Sequence, residues 1–343
     1  MQLQAVLKIL GILLMMFSTS LLPPLMISLI IGDGGATPFA LALIITLLTG
    51  LILWWPVKQH PQEPRLRDGF LIVVLFWTVL AGFGAIPFLL APEPAMSLTE
   101  AFFEAMSGLT TTGATVLMGI DDLPPSILYY RQQLQWLGGM GIIVLAVAVM
   151  PMLGIGGMQL YRAEAPGPAK DKKLTPRIKE TAKALWYIYL GLTVACALAY
   201  WLAGMSLFDA VGHSFSTVAI GGFSTHDQSI GFFNSPTIAA IACVFMLVSG
   251  INFALHFTAL RDRRLGLYLK DPEVGTFLGI IVIVATVVLA TLFAFHTYQE
   301  TGEAFWHGIF HVVSIATTTG FTTSGFHWWP TFLPIMLILM SAM

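Results

Sequence analysis

Three short stretches of glycine and threonine interrupt an otherwise apolar chain: 110–115 (TTTGAT), 219–225 (AIGGFST) and 317–323 (TTTGFTT). None offers a nucleophile paired with a base, and none has metal-ligand spacing. What they offer is oxygen. Glycine lets backbone carbonyls turn at angles other residues resist. Threonine adds a hydroxyl that can hold a carbonyl or face an ion. Rings of such oxygens replace the hydration shell of a cation in selectivity filters. The candidate lining is Thr110, Thr111, Thr112 and Gly113; Ala219, Ile220, Gly221 and Gly222; and Thr317, Thr318, Thr319 and Gly320.

A single TTTG in a membrane chain is commonly a helix-packing patch, because small residues and threonine let helices approach. Three copies in one context argue against that. Aligned on Gly113, Gly222 and Gly320, they lie 109 and 98 residues apart. Each follows an apolar span and a short amphipathic stretch, and each precedes another apolar run. Sixteen residues before the glycine stand Ser97, Ser206 and Ala304; thirteen before it, Glu100, Asp209 and His307; nine before it, Glu104, His213 and His311. Ser97 with Glu100, and Ser206 with Asp209, have capping-box spacing; the third copy lacks it. A helix begins there and has about 12 residues, or ~18 Å, before the break, too little to cross a ~30 Å hydrocarbon core. It enters from one face and stops partway. Non-helical backbone at that depth is tolerated only where protein buries it or where it lines a watery path. The partly negative C-terminal ends of the short helices also favour a cation.

The elements that must position these turns are membrane spans. The chain is 57% hydrophobic and 10% charged, against about 25% charged in soluble domains. Apolar runs predict spans at 5–31 (interrupted by Pro23 and Pro24), 37–55, 70–91, 126–150, 184–204, 235–260 and 275–297, with a last run beginning at 330. The polar loops 58–68, 161–183 and 261–270 hold 14 of the 16 lysines and arginines. By the positive-inside rule these loops and the N-terminus are cytoplasmic. The turns then lie toward the outside, where Glu93, Glu100, Glu104, Asp121, Asp122, Asp209, Asp227, Glu300 and Glu303 form an acidic mouth that concentrates cations; Arg131 is the one basic residue there. The partner implied by composition is the lipid bilayer, not nucleic acid. Cys196 and Cys243 lie in apolar runs and read as small apolar side chains. His307 and His311 lack a third ligand, so no transition-metal site is expected. Gly154, Gly156 and Gly157 are not followed by GK[ST], and nothing indicates an enzyme or a covalent cofactor. Asn252 and His256 are polar at depth. The basic loop 161–183 reads as topology or headgroup contact.

These residues resemble the Trk/Ktr/HKT superfamily of potassium transporters, in its TrkH family. TTTGAT, STVAIGGFST and ATTTGFTT carry the resemblance, with QWLGGMGIIVLAVAVMPMLGIGG at 135–157 and YRAEAPGP at 161–168. It implies an all-α integral membrane fold of repeated membrane helix–pore loop–membrane helix units around a pseudo-fourfold pore, preceded by two extra helices. The division is then 1–58 for the N-terminal pair, 59–160, 161–262 and 263–343 for three pore units. It further implies K+ as the transported ligand at the twelve residues named above, a homodimer, a cytosolic TrkA-type nucleotide-binding partner and the bacterial inner membrane. Glycine in the filter goes with potassium in this superfamily, and serine in the first filter with sodium. Channel-like uptake driven by membrane potential is expected; the alternative is a coupled transporter carrying K+ with Na+ or H+. Few ionisable residues sit mid-span to relay a proton, which favours the first. The superfamily's fourth filter and the gating loop of its third unit have no counterpart here, so a fragment of a longer protein is expected.

Overall fold

Backbone in hydrocarbon must close its hydrogen bonds within the segment. In the computed structural model, which describes residues 2–59, 66–141 and 178–342, every regular element is helical. Leu3–Ile31, Ala36–Val57, Asp68–Leu90, Lys183–Leu202 and Pro272–Ala294 are long and apolar enough to cross a membrane. The loop at 161–177, the glycines at 154, 156 and 157, and the end of the run 126–150 lie outside the described residues.

The described chain packs as two compact units, Met1–Thr110 with Ala114–Trp186, and Thr111–Gly113 with Tyr187–Met343. The first unit contains α1 (Leu3–Thr19), α2 (Leu22–Ile31), α3 (Ala36–Trp54), α4 (Leu66–Gly84), α5 (Ile86–Leu90), α6 (Leu98–Leu109) and α7 (Pro125–Gly139). The first run is two helices because α2 restarts with Pro23 in its first turn, where a missing N–H costs nothing. Its core gathers Leu14, Leu21, Phe39, Phe88 and Tyr130. Tyr130 is fully buried, so its hydroxyl needs a partner; it donates to the Gly84 carbonyl at 2.9 Å.

The short helix α6 is 12 residues long and starts on the expected capping box: Ser97 accepts from the Glu100 amide, and the Glu100 carboxylate accepts from the Ser97 amide at 2.8 Å. Those bonds hold the exposed Glu100 carboxyl below its ordinary range. At its other end α6 meets α7. The Gly138 α-carbon lies so close to the Leu109 carbonyl that an added Cβ would stand 1.9 Å from that oxygen.

The second unit contains most of α8 (Ile178–Leu202), then α9 (Leu207–Val218), α10 (Pro236–Gly250), α11 (Phe253–Asp262), α12 (Gly266–Lys270), α13 (Pro272–Ala294), α14 (Thr301–Ala316) and α15 (Phe332–Ser341). Helix α9 is again 12 residues long, with Ser206 accepting from the Asp209 amide at 3.0 Å. Aspartate is one methylene shorter than glutamate, and its carboxylate takes the Ser206 hydroxyl instead. In α14 no side chain caps the N-terminus, and the helix runs to 16 residues. Cys196 is buried and Cys243 half-buried, both as free thiols.

The run 235–260 is not one straight span. Helices α10 and α11 meet at 90°. Ile251 is extended, with φ −79° and ψ 143°, and Asn252 caps the new helix by accepting from the Ala254 amide at 3.0 Å. His256 straps the bend: its Nε2–H donates to the Val248 carbonyl at 2.9 Å, and its Nδ1 accepts from the Tyr268 hydroxyl at 2.8 Å. Asn252 and His256 thus satisfy backbone freed by the break.

Gly138→Ala should lower the melting temperature markedly, by about 1–3 kcal/mol or more of overpacking, since backbone meets backbone. Gly82→Ala on α4, with nothing within 4 Å of the added Cβ, should be neutral or slightly stabilising. Thermal unfolding in detergent compares the two.

Candidate functional site

The three short helices end in the same way. Their C-caps, Thr110, Ala219 and Thr317, remain near helical geometry. The next residue turns left-handed in every copy: Thr111 at φ 55°, Ile220 at 48° and Thr318 at 61°. Two residues on, the glycine does the same: Gly113 at 74°, Gly222 at 83° and Gly320 at 82°. The glycine needs no side chain out of the way. A β-branched residue at positive φ is an outlier that costs on the order of 1–3 kcal/mol.

Helix closure accounts for the first turn. In the second copy the Ile220 amide donates to the Thr217 carbonyl at 3.1 Å and the Gly221 amide to Ser216 at 2.8 Å. In the third, Thr318 donates to Ile315 at 3.0 Å and Thr319 to Ser314 at 2.8 Å. This pair of bonds is the Schellman closure, which needs a left-handed residue just past the cap and usually takes glycine there. The cap threonines spend their hydroxyls on the helix: Thr110 Oγ1 donates to the Met106 carbonyl at 2.7 Å and Thr317 Oγ1 to Val313 at 2.9 Å. Helix carbonyls are satisfied there, while the carbonyls of the turn itself take no part in the closure.

The turns stand side by side within the second unit. A Cβ on Gly113 would lie 2.1 Å from the Gly221 carbonyl oxygen, and one on Gly222 would lie 1.9 Å from that of Thr319. The penultimate carbonyls of the second and third turns therefore reach against the glycine of the preceding copy, where only hydrogen leaves room. Gly320 faces open space. All twelve sequence-predicted residues occupy these turns, and Thr111–Gly113, Ile220–Gly222 and Thr318–Gly320 are the parts brought together.

Residues behind the turns hold the chain that leaves them. His307 Nδ1 and Thr323 Oγ1 are 2.8 Å apart, Thr225 Oγ1 donates to Asp209 at 2.7 Å, and the Gly231 amide donates to the Thr322 carbonyl at 3.0 Å. His311 turns Nε2 to the Ser324 carbonyl at 3.1 Å. The two histidines thus face the exit chain. Among the described residues, no three His, Cys, Asp or Glu side chains come together as a metal site. Glu104 was expected in the acidic mouth and is not there. It is fully buried and paired with Arg131, also fully buried, at 2.8 Å. The pair is net neutral and adds no charge to the surface. A spacing rule could find the serine six residues before each glycine, Ser107, Ser216 and Ser314, all buried. The strained residue two before the glycine has no such signal, since Thr and Ile there argue for extended chain.

The family model for TrkH, described as a cation transport protein, matches residues 36–343. The chain is similar to the Trk system potassium uptake protein TrkH of Vibrio parahaemolyticus, 55% identical over 99% of this chain and 71% of that protein. The Escherichia coli K12 TrkH is 53% identical over 98% of this chain and 70% of its own length. TrkG of the same organism is 40% identical over 96% and 68%. The crystal structure of the potassium transporter TrkH from Vibrio parahaemolyticus superposes with a TM-score of 0.88 at 51% identity, covering 99% of this chain and 70% of that one.

Alanine at the three glycines should separate two costs. Gly320→Ala meets only the left-handed backbone, at about 1–2 kcal/mol. Gly113→Ala and Gly222→Ala add a collision with a backbone oxygen and should unfold at clearly lower temperature, as thermal unfolding measures.

Proposed function

We propose that this chain, which belongs to the TrkH family of cation transport proteins, forms the conducting part of a potassium uptake system. K+ passes the turns 110–113, 219–222 and 317–320, held by their carbonyls, and moves down its electrochemical gradient without a coupled ion. The observation that carries this is the repeated turn: three copies share two left-handed residues at the same places and pack in order, carbonyl against glycine. Backbone built this way at the end of a half-length helix has a use in coordinating a dehydrated cation. The names of the relatives supply potassium as the ion. Glycine at all three positions fits that choice.

The remaining parts of the reading follow the same resemblance. The chain divides into the helix pair 1–58 and pore units 59–160, 161–262 and 263–343. The N-terminus is cytoplasmic, the membrane is the bacterial inner membrane, and the protein works as a homodimer with a TrkA-type regulatory partner. The Trk system named for its relatives supports a multi-component assembly.

In proteoliposomes carrying the protein as its gene encodes it, K+ flux should follow membrane potential at about 2.3 kcal/mol per charge per 100 mV, indifferent to Na+ and proton gradients. Flux that a sodium or proton gradient drives would establish coupled transport instead. Gly113→Ser should lower K+ over Na+ selectivity about tenfold, equivalent to about 1.4 kcal/mol; an unchanged ratio would remove the first turn from the filter.

A further inference from the structure

The exit chain is anchored differently in the first copy. Immediately after the glycine, the second and third copies carry Phe223 and Phe321, which are 2% and 0% exposed. These rings peg the chain by packing. The first copy has Ala114, which is exposed, so the aromatic peg at that position is missing. In its place stands a charged clamp. Thr115 Oγ1 donates to the Glu104 carboxylate at 2.9 Å and accepts from Arg131 Nη2 at 3.2 Å and from the Leu117 amide at 3.1 Å. That uses its one donor and both acceptor positions. Glu104 also accepts from Arg131 Nε at 2.8 Å and from the Val116 amide at 3.2 Å. The equivalent residue nine before the glycine in the second copy, His213, does a smaller task. Its Nδ1–H donates to the Asp209 carbonyl at 2.9 Å, which leaves Nε2 to accept from Ser224 Oγ at 2.9 Å.

We propose that the buried Glu104–Arg131 pair, acting through Thr115, is the positioning element that fixes the first turn and thereby its ion selectivity, substituting for the aromatic peg of the other two. A buried ion pair is costly to desolvate and poor evidence for stability by itself. The pair reaches Thr115 and Val116, two and three residues beyond Gly113, through Glu104, which accepts from the Thr115 hydroxyl and the Val116 amide, and through Arg131, which donates to Thr115. Charge-assisted bonds are short and directional, which suits a segment whose Ala114, Thr115 and Val116 are exposed and which packs on the core only from Leu117 onward. Thr115 touches no proposed ion position; it sets where Gly113 ends.

The proposal rests on the filter reading, and the test separates them. Thr115→Val keeps shape and removes the hydroxyl; Thr115→Ser keeps the hydroxyl. In proteoliposomes the K+ to Na+ permeability ratio of Thr115→Val should fall about threefold or more, while Thr115→Ser matches the parent and both melt near the parent temperature. Where valine is not tolerated, Thr115→Ala removes the same hydroxyl and is read identically. Ser224→Ala should lower the ratio less, because Phe223 still holds that chain. A ratio that falls less than threefold in Thr115→Val, or as far in Ser224→Ala, overturns the proposal. If Gly113→Ser shifts the ratio and Thr115→Val does not, the clamp alone fails; if Gly113→Ser is silent, the filter reading fails first.

Discussion

A helix that stops inside a membrane must close its own carbonyls, and the rest of the site depends on how it does so. Here the chain turns left-handed one residue past the cap in each copy, and in the second and third copies two amides return to the last turn. The closure fixes the direction in which the chain leaves. It also leaves the carbonyls of the next residues outside the helical ladder. The second left-handed residue must then be glycine in the first two copies, because a neighbouring carbonyl occupies the place of a Cβ. Thus one need, satisfying backbone away from water, selects both the strained residue and the glycine.

The copies preserve this backbone while changing the chemistry behind it. Asp209 and His307 stand at one position and reach Thr225 and Thr323; Glu104, His213 and His311 stand at another and reach Thr115, Ser224 and the Ser324 carbonyl. Carboxylate and imidazole are exchanged because each can take a hydrogen bond from, or give one to, the same exit chain. This is why the copies look weakly alike in sequence and closely alike in dihedral angle. What each copy needs is a polar reach of fixed length from one helix face, together with a small residue where backbones meet.

Much of this was legible in the chain. Half-length helices followed from Ser97, Ser206 and the Gly/Thr breaks, since capping spacing and low helix propensity are local properties. The all-helical membrane fold followed from apolar runs. Other features were hidden because they depend on tertiary contact. The bend at Ile251 sits in an apolar run that hydropathy reads as continuous; only Asn252, a good cap, hinted at it. Glu104 looked like a surface acid because nothing local announces that Arg131, 27 residues on, reaches it. The strained Thr111, Ile220 and Thr318 were invisible in principle, for the sequence preference of β-branched residues runs against the conformation they adopt.

That last conflict has a physical reading. Glycine would satisfy the Schellman position at no steric cost, yet three copies use threonine or isoleucine. Glycine there, next to a glycine two residues later, would leave the turn two freely rotating points, and its carbonyls could flip between orientations. A β-branched residue has few accessible wells. Once the returning amides force it left-handed, it has no easy alternative conformation to exchange with. The strain, on the order of 1–3 kcal/mol per site, thus restricts the backbone at the residue that sets carbonyl direction, and at Gly113 and Gly222 close approach of a neighbouring carbonyl restricts the glycine as well.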